Sequence, residues 1–234
     1  MPPASRPPRE PGVPRKPRAA TDKPRAPRKP RQQRARVTVE SIVDAAFHEV
    51  AERGLAATTT QHIADRAGIG IGSFYEYFPN KEAVFAEMFG RLTADTVQII
   101  RELTPEIVRT DMRSAIRLLL YRVGDMLRGK NGVYLRCAQQ GLRSELPIDR
   151  EPIQRALTEL AMQYLMHHPQ YLRARDMPVT IYIFIHGGMH AFIHHMNEKS
   201  PSISYEQLVE GLANMIGHYA ERELQMVEGA GAAR

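Results

Sequence analysis

Several common architectures are excluded by what this chain lacks. Its 234 residues include one cysteine, Cys137, so no internal disulfide framework exists and a reducing cytoplasm is the expected setting. No apolar run follows Met1, and no secretory signal is expected. There is no strand-like alternation, glycine-rich phosphate loop, internal repeat or HExxH pair. A β fold, a P-loop nucleotide site and a zincin-type metal centre are therefore not expected. Residues 177–197 carry no Lys, Arg, Asp or Glu, a length that could span a bilayer. That run is broken by His186, His190, His194 and His195 and by Gly187-Gly188. It reads as a helix buried at a subunit interface, with no membrane as partner.

Charge is divided unevenly. The net value of +6 combines a first 36 residues with 12 Lys/Arg against 2 acids, +10, and a remainder of −4. That first stretch also holds 10 of the 17 prolines and almost no apolar residue able to offset its ordering entropy, so residues 1–36 are expected to be a disordered, partly polyproline-like tail. Two readings stand for it: a solvated linker, or an arm lying along DNA phosphates with Arg31, Arg34 and Arg36 nearest the duplex.

From Thr38, Val39, Ile42, Val43, Ala46, Phe47 and Val50 recur at helical spacing up to Gly54. The stretch TTQHIADRAGIGIGSFYEYFPNK, residues 59–81, then predicts two short helices around a glycine corner. Thr59 caps the first, over about residues 60–67. Gly68 turns the chain, Ile69 plugs the angle, and residues 71–78 form the second, which Pro79 stops. Asn80 caps the next helix, placing Lys81 in its first turn. Two helices around a turn of this length are the helix-turn-helix layout, whose second helix enters the major groove.

Ile63-Ala64, Ala67-Gly68, Gly72-Ser73-Phe74-Tyr75 and Tyr77-Phe78-Pro79-Asn80-Lys81-Glu82 together resemble the N-terminal domain of the TetR/AcrR family of transcriptional regulators. The likeness covers about residues 38–92. Many members carry a polar pair ahead of the central glycine, where this chain has Gly70 and Ile71. Side-chain reach assigns Tyr75, Tyr77, Lys81 and Thr60 to phosphates, Ile71 to a thymine methyl, and Ser73 and Gln61 to base edges; Gly72 allows close approach. The resemblance implies DNA contact by these same residues. With Arg36 they form the expected DNA-binding set.

The remainder predicts helices alone, nine or ten in all. One runs from Asn80 to about Leu103 and is broken by Thr104-Pro105; another starts at Asp111; Gly129-Lys130-Asn131-Gly132 marks a turn. Phe89, Met112, Ile116, Met126, Cys137 and Met162 are expected to line a pocket for an unidentified, largely apolar effector. A capping box, Ser204-Tyr205-Glu206-Gln207, opens the last helix. There Leu208, Leu212, Met215, Ile216 and Tyr219 share a face expected in a four-helix dimer seam.

The fold expected is all-α. It comprises an N-terminal three-helix helix-turn-helix DNA-binding domain (37–92), a C-terminal helical ligand-binding and dimerisation domain (93–226), and a short disordered tail (227–234). By resemblance the chain is a cytoplasmic homodimeric repressor that releases a pseudo-palindromic double-stranded DNA operator when its effector binds. It is read as a regulator and not an enzyme, with no catalytic residue, cofactor or metal. Two alternatives stand beside this reading: a helical metal-binding protein or enzyme using His186, His190 and His194 on one helical face, and a sequence-neutral architectural DNA binder driven by the tail.

Overall fold

The apolar spacing and the cap residues produce eight α-helices and one 3-10 turn in a computed structural model that describes residues 29–146, 148–173, 177–198 and 200–232. In chain order these are α1 (Lys29–Arg53), α2 (Thr60–Ala67), α3 (Ile71–Tyr77), α4 (Lys81–Ile107), α5 (Met112–Arg143), α6 (Glu151–His167), the 3-10 turn (Pro169–Arg173), α7 (Met177–Asn197) and α8 (Tyr205–Ala232). No strand occurs among the described residues.

Local capping sets most boundaries. Thr59 accepts from the His62 N–H at 3.2 Å, Asn80 from Ala83 at 2.8 Å and Asp111 from Ser114 at 3.0 Å. At α8 the capping box closes in both directions: Gln207 N–H donates to Ser204 Oγ at 3.2 Å, and Ser204 N–H donates to Gln207 Oε1 at 2.8 Å.

Four boundaries differ from the sequence expectation. Helix α1 starts at Lys29, so residues 29–36 are helical and not tail, while residues 1–28 lie outside the described set. Gln32, Gln33, Arg34, Ala35 and Arg36 all have good helix propensity, and Pro30 occupies the first turn, where its missing N–H costs little. Thr38, expected as an N-cap, instead donates its hydroxyl back to the Arg34 carbonyl at 3.0 Å. Helix α4 continues through Thr104-Pro105 to Ile107 because Leu103, Ile107 and Val108 are buried, and that burial outweighs one lost backbone bond.

The expected turn at Gly129-Lys130-Asn131-Gly132 lies inside α5. It survives only as a left-handed pair, Asn131 at φ 57° and Gly132 at φ 69°. Two expected helices are thereby fused, which lowers the count. Helix α8 reaches Ala232, so residues 227–232 are also helical.

Two apolar cores follow. In the head, Ile42, Ala46, Phe47 and Val50 of α1 meet Ile63 and Ala64 of α2, Phe74 of α3 and Val84, Phe85 and Met88 of α4. This core does not end at the head. Val133, Tyr134 and Cys137 from the second half of α5 belong to it, with Phe47 stacked on Tyr134 at 4.8 Å between ring centres. A distal core gathers Val97, Ile100, Leu103 and Ile107 of α4 with Ala115 of α5 and Ala156, Leu160 and Tyr164 of α6. Helix α5, about 48 Å long at the standard rise, touches both.

Candidate DNA-binding surface and interior cavity

The angle between α2 and α3 is built by backbone chemistry. Gly68 sits at φ 70°, ψ 30° and donates to the Asp65 carbonyl at 3.1 Å, while Ile69 N–H reaches the Ala64 carbonyl at 3.0 Å. The left-handed conformation is what glycine adopts without strain. Phe74, 0% exposed, then anchors α3 in the head core, edge-on to Tyr75 at 5.5 Å. With Phe74 inward, Gly72, Ser73, Tyr75 and Glu76 are left facing solvent.

An ion-pair network fixes α2 on α1. The Glu49 carboxylate, its side chain 5% exposed, accepts from Arg53 Nε and Arg66 Nε, each at 2.6 Å, and Arg66 also pairs with Glu52. Burial acts to raise the Glu49 carboxyl, but the hydrogen bonds and charges of Arg66 and Arg53 outweigh it and hold it below the ordinary carboxylate range. A depressed carboxylate stabilises the fold above its unfolded value, about 4.3, and that contribution disappears as pH falls through the lower folded value. Glu49→Gln is therefore expected to lower head stability at neutral pH by about 2–3 kcal/mol, with a smaller difference from the wild type in acid. Urea unfolding at pH 7 and pH 3 checks this; an equal difference at both would contradict it.

The expected DNA-contacting residues are not all disposed alike. Tyr75 is 53% exposed and its hydroxyl shares a hydrogen bond with Thr60 Oγ1 at 3.3 Å, bringing two of them together. Gly72 and Ser73 are exposed beside them, and Arg36 is exposed on α1. Gln61 is exposed but donates to Asp65 Oδ1 at 2.7 Å. Tyr77 and Ile71 are half-buried against the head core, so Ile71 does not project freely as expected. Lys81 donates to the Thr58 carbonyl at 3.0 Å and the Ala56 carbonyl at 3.4 Å. It thus ties the loop before α2 to the start of α4.

Below the head, α4 to α8 line a partly open cavity of about 350 Å³. Of the six residues expected around an effector, Phe89, Met112 and Ile116 line this cavity. Three expected lining residues do not. Met126 packs against the head core, Cys137 is 0% exposed with its thiol on the Phe47 carbonyl at 3.2 Å, and Met162 is 44% exposed on the outside of α6. Cys137 lies on the side of α5 turned to the head, Met126 packs in a cluster that also takes in Phe192, Tyr205 and Val209, and Met162 falls one position past the inward Ala161. Burial also pushes the Cys137 thiol up to about 12, so it stays a thiol.

Helix α5 lines the cavity from Met112 to Leu142 and, through Val133, Tyr134 and Cys137, also packs into the head core. Tyr134 OH donates to Asp95 Oδ2 of α4 at 2.7 Å. Burial, then that bond, push the phenol up to about 12, keeping it a neutral donor. Arg91 of α4 pairs with Asp44 of α1 at 2.6 Å. Head, α4 and α5 are thus cross-linked by one group of side chains.

Helix α8 turns Leu212, Ile216 and Tyr219 into the cavity, Ile216 being 9% exposed. This corrects the expectation that Ile216 lies in a seam; Met215, 53% exposed, points the other way. On α7, Val179, Tyr182 and Ile183 are exposed, as are His190 and His194. His186 stacks on Tyr182 at 4.2 Å, and His194 lies 2.9 Å from Glu198. Among the described residues no three His, Cys, Asp or Glu side chains are grouped to hold a metal, and no helix is long and apolar enough to cross a membrane.

Residues 42–88 match the family described as bacterial regulatory proteins, tetR family. The HTH-type transcriptional repressor KstR2 of Rhodococcus jostii (strain RHA1) is 42% identical over 62 residues, 26% of this chain. The matched stretch spans 30% of that relative's length. A TetR-family structure from Mesorhizobium loti MAFF303099 superposes with a TM-score of 0.62 at 15% identity, covering 80% of this chain and 96% of the other. A second, from Marinobacter aquaeolei VT8, gives 0.53 at 19%, covering 80% and 97%. At these identities the structures establish a shared fold.

Proposed function

This chain carries the N-terminal domain of the tetR family of bacterial regulatory proteins, and from that premise we propose that it is a homodimeric, ligand-responsive repressor. Two copies present their α3 helices to successive major grooves of a pseudo-palindromic operator. A small apolar molecule entering the α4–α8 cavity favours a conformer in which the heads are wrongly spaced, and DNA is released. The observation that carries this reading is the continuity of α5, one helix that both walls the cavity and packs its Tyr134 against Phe47 of the head. A body entering beside Ile116 presses on the same rod that supports the DNA-facing end. The coupling is reciprocal, so operator DNA weakens the effector by the factor by which the effector weakens DNA.

Selection from a random double-stranded pool by the purified full chain tests the proposal. An inverted repeat with half-sites about one helical turn apart is the expected product. Enrichment of no sequence over bulk DNA at fixed salt would instead make this an architectural binder and overturn the assignment.

A further inference from the structure

Most of the neutral polar side chains in the cavity wall, Tyr171 excepted, are already used within the chain. Thr96 donates to the Leu92 carbonyl at 2.8 Å, Thr93 to the Asp149 carbonyl at 3.4 Å, and Tyr164 to the Thr110 carbonyl at 3.1 Å. Thr180 and Tyr219 share a hydrogen bond at 3.1 Å. An occupant therefore meets mostly hydrocarbon, and a polar group in its middle would lose its water without replacement.

Two charged residues remain in the wall, Arg150 and Glu223. Arg150 has an acid on either side in sequence, yet neither neutralises it. Asp149 Oδ1 accepts the Glu151 N–H at 2.9 Å, and Glu151 pairs with Arg155. Among the described residues Arg150 has no ion pair and no side-chain hydrogen bond. It also stands at the N-terminus of the 17-residue α6, where the aligned peptide dipoles add positive potential. Asp149 and Glu151 already face that dipole, so the guanidinium of Arg150 is the group left to attract an anion.

Glu223 lies at the other end. The bond from Thr93 to Asp149 places the start of α6 beside the middle of α4. Glu223 follows Glu221, which pairs with Arg113 in the first turn of α5, past the far end of α4. From Thr93 to Ile107 is about 21 Å along a helix axis. The cavity thus has a positive end and a negative end separated by apolar wall. Its volume, about 350 Å³, is that of a site for one small molecule.

We propose that the effector is a long-chain monocarboxylic acid, bound with its carboxylate on Arg150 and its hydrocarbon chain running toward the 3-10 turn and Glu223. The guanidinium offers a planar pair of donors suited to a carboxylate, while Glu223 repels the reversed orientation. The inference rests on the ligand-responsive reading above and adds the chemical class and the polarity of the ligand.

Calorimetric titration of the full chain with tetradecanoate, tetradecan-1-ol and tetradecylammonium, each below its micelle concentration, tests it. The acid is expected to bind at least about tenfold more tightly than the alcohol, and the ammonium most weakly. Arg150→Gln should bring the acid down to the alcohol's affinity while leaving the alcohol unchanged. A thermal melt controls for folding, which Arg150, exposed and without a partner, should not affect. Equal binding of acid and alcohol to the wild type, undiminished acid binding by Arg150→Gln, or no binding of any probe would each overturn the proposal. Operator binding by the same preparations without additive is scored separately. A wild type that holds its inverted repeat but ignores tetradecanoate defeats the ligand class alone; one that holds no operator defeats the regulator reading.

Discussion

Replacing Gly72 by leucine is expected to leave the melting temperature of the protein unchanged or raised, and to weaken operator binding by about 100-fold or more. The fold itself does not require a glycine at this position. Gly72 lies within α3 and is not among the glycines with positive φ. A β-carbon built there meets no atom within 4 Å. Glycine in a helix interior costs roughly 0.5–1 kcal/mol relative to alanine, so intramolecular energetics favour a side chain at this position. Gly70 repeats the pattern, with ordinary extended dihedrals and open space around it. Open space alone does not mark a site, since Gly90 and Gly211 share it; we propose that Gly72, beside the exposed Ser73 and Tyr75, serves close approach of DNA to the backbone.

A leucine would hold α3 away from the base edges, and losing the base contacts of even two positions at about 1–3 kcal/mol each is sufficient for the stated loss. Circular dichroism melts and fluorescence anisotropy with labelled operator measure the two quantities. A Gly72→Leu protein with wild-type operator affinity would place the DNA surface elsewhere. Tyr75→Phe is the milder companion: it removes one hydroxyl paired with Thr60 and should weaken all operator variants alike, because phosphate contacts position without discriminating.

The parts of this architecture legible in the sequence are those set within a few residues. Thr59, Gly68, Asn80, Asp111 and the Ser204–Gln207 box act on backbone groups two to four positions away, so their identity is enough to place them. The parts that were not legible depend on distant neighbours. The turn residues Asn131 and Gly132 do bend left-handed, yet packing of Val133 and Tyr134 on the head keeps α5 continuous. Lys81 looks free for phosphate until the carbonyls of Ala56 and Thr58, more than twenty residues earlier, come beneath it. Met126, Cys137 and Met162 lie on the right helices for a cavity, and what excludes them is the rotation of each helix about its axis. Ile216 and Met215 are adjacent, so a small change of phase decides which faces inward.

That phase leads to the second large effect. With Ile216 inside, the outward face of α8 carries Met215 at 53% exposure, and α7 adds Val179 at 56%, Tyr182 at 64% and Ile183 at 57%. Scattered exposed apolar side chains are ordinary, but three recur at helical spacing on α7, with Met215 on the neighbouring α8, which marks a surface for association. We propose that a second copy covers it by two-fold pairing, giving a four-helix seam. The double substitution Ile183→Glu with Met215→Glu removes little packing inside the chain, because both residues are more than half exposed and neither lines the cavity. It is therefore expected to retain the fold and to sediment as a monomer at micromolar concentration. Operator affinity should fall by about 100-fold or more, since two heads no longer bind as one unit. Ile216→Glu would be a poor substitute. At 9% exposure in the cavity wall it buries an unpaired carboxylate, costs stability, and confuses unfolding with dissociation. If the Ile183→Glu/Met215→Glu protein sediments as a dimer and holds its operator, the seam lies on another face, and the spacing of the two α3 helices must be set by different contacts.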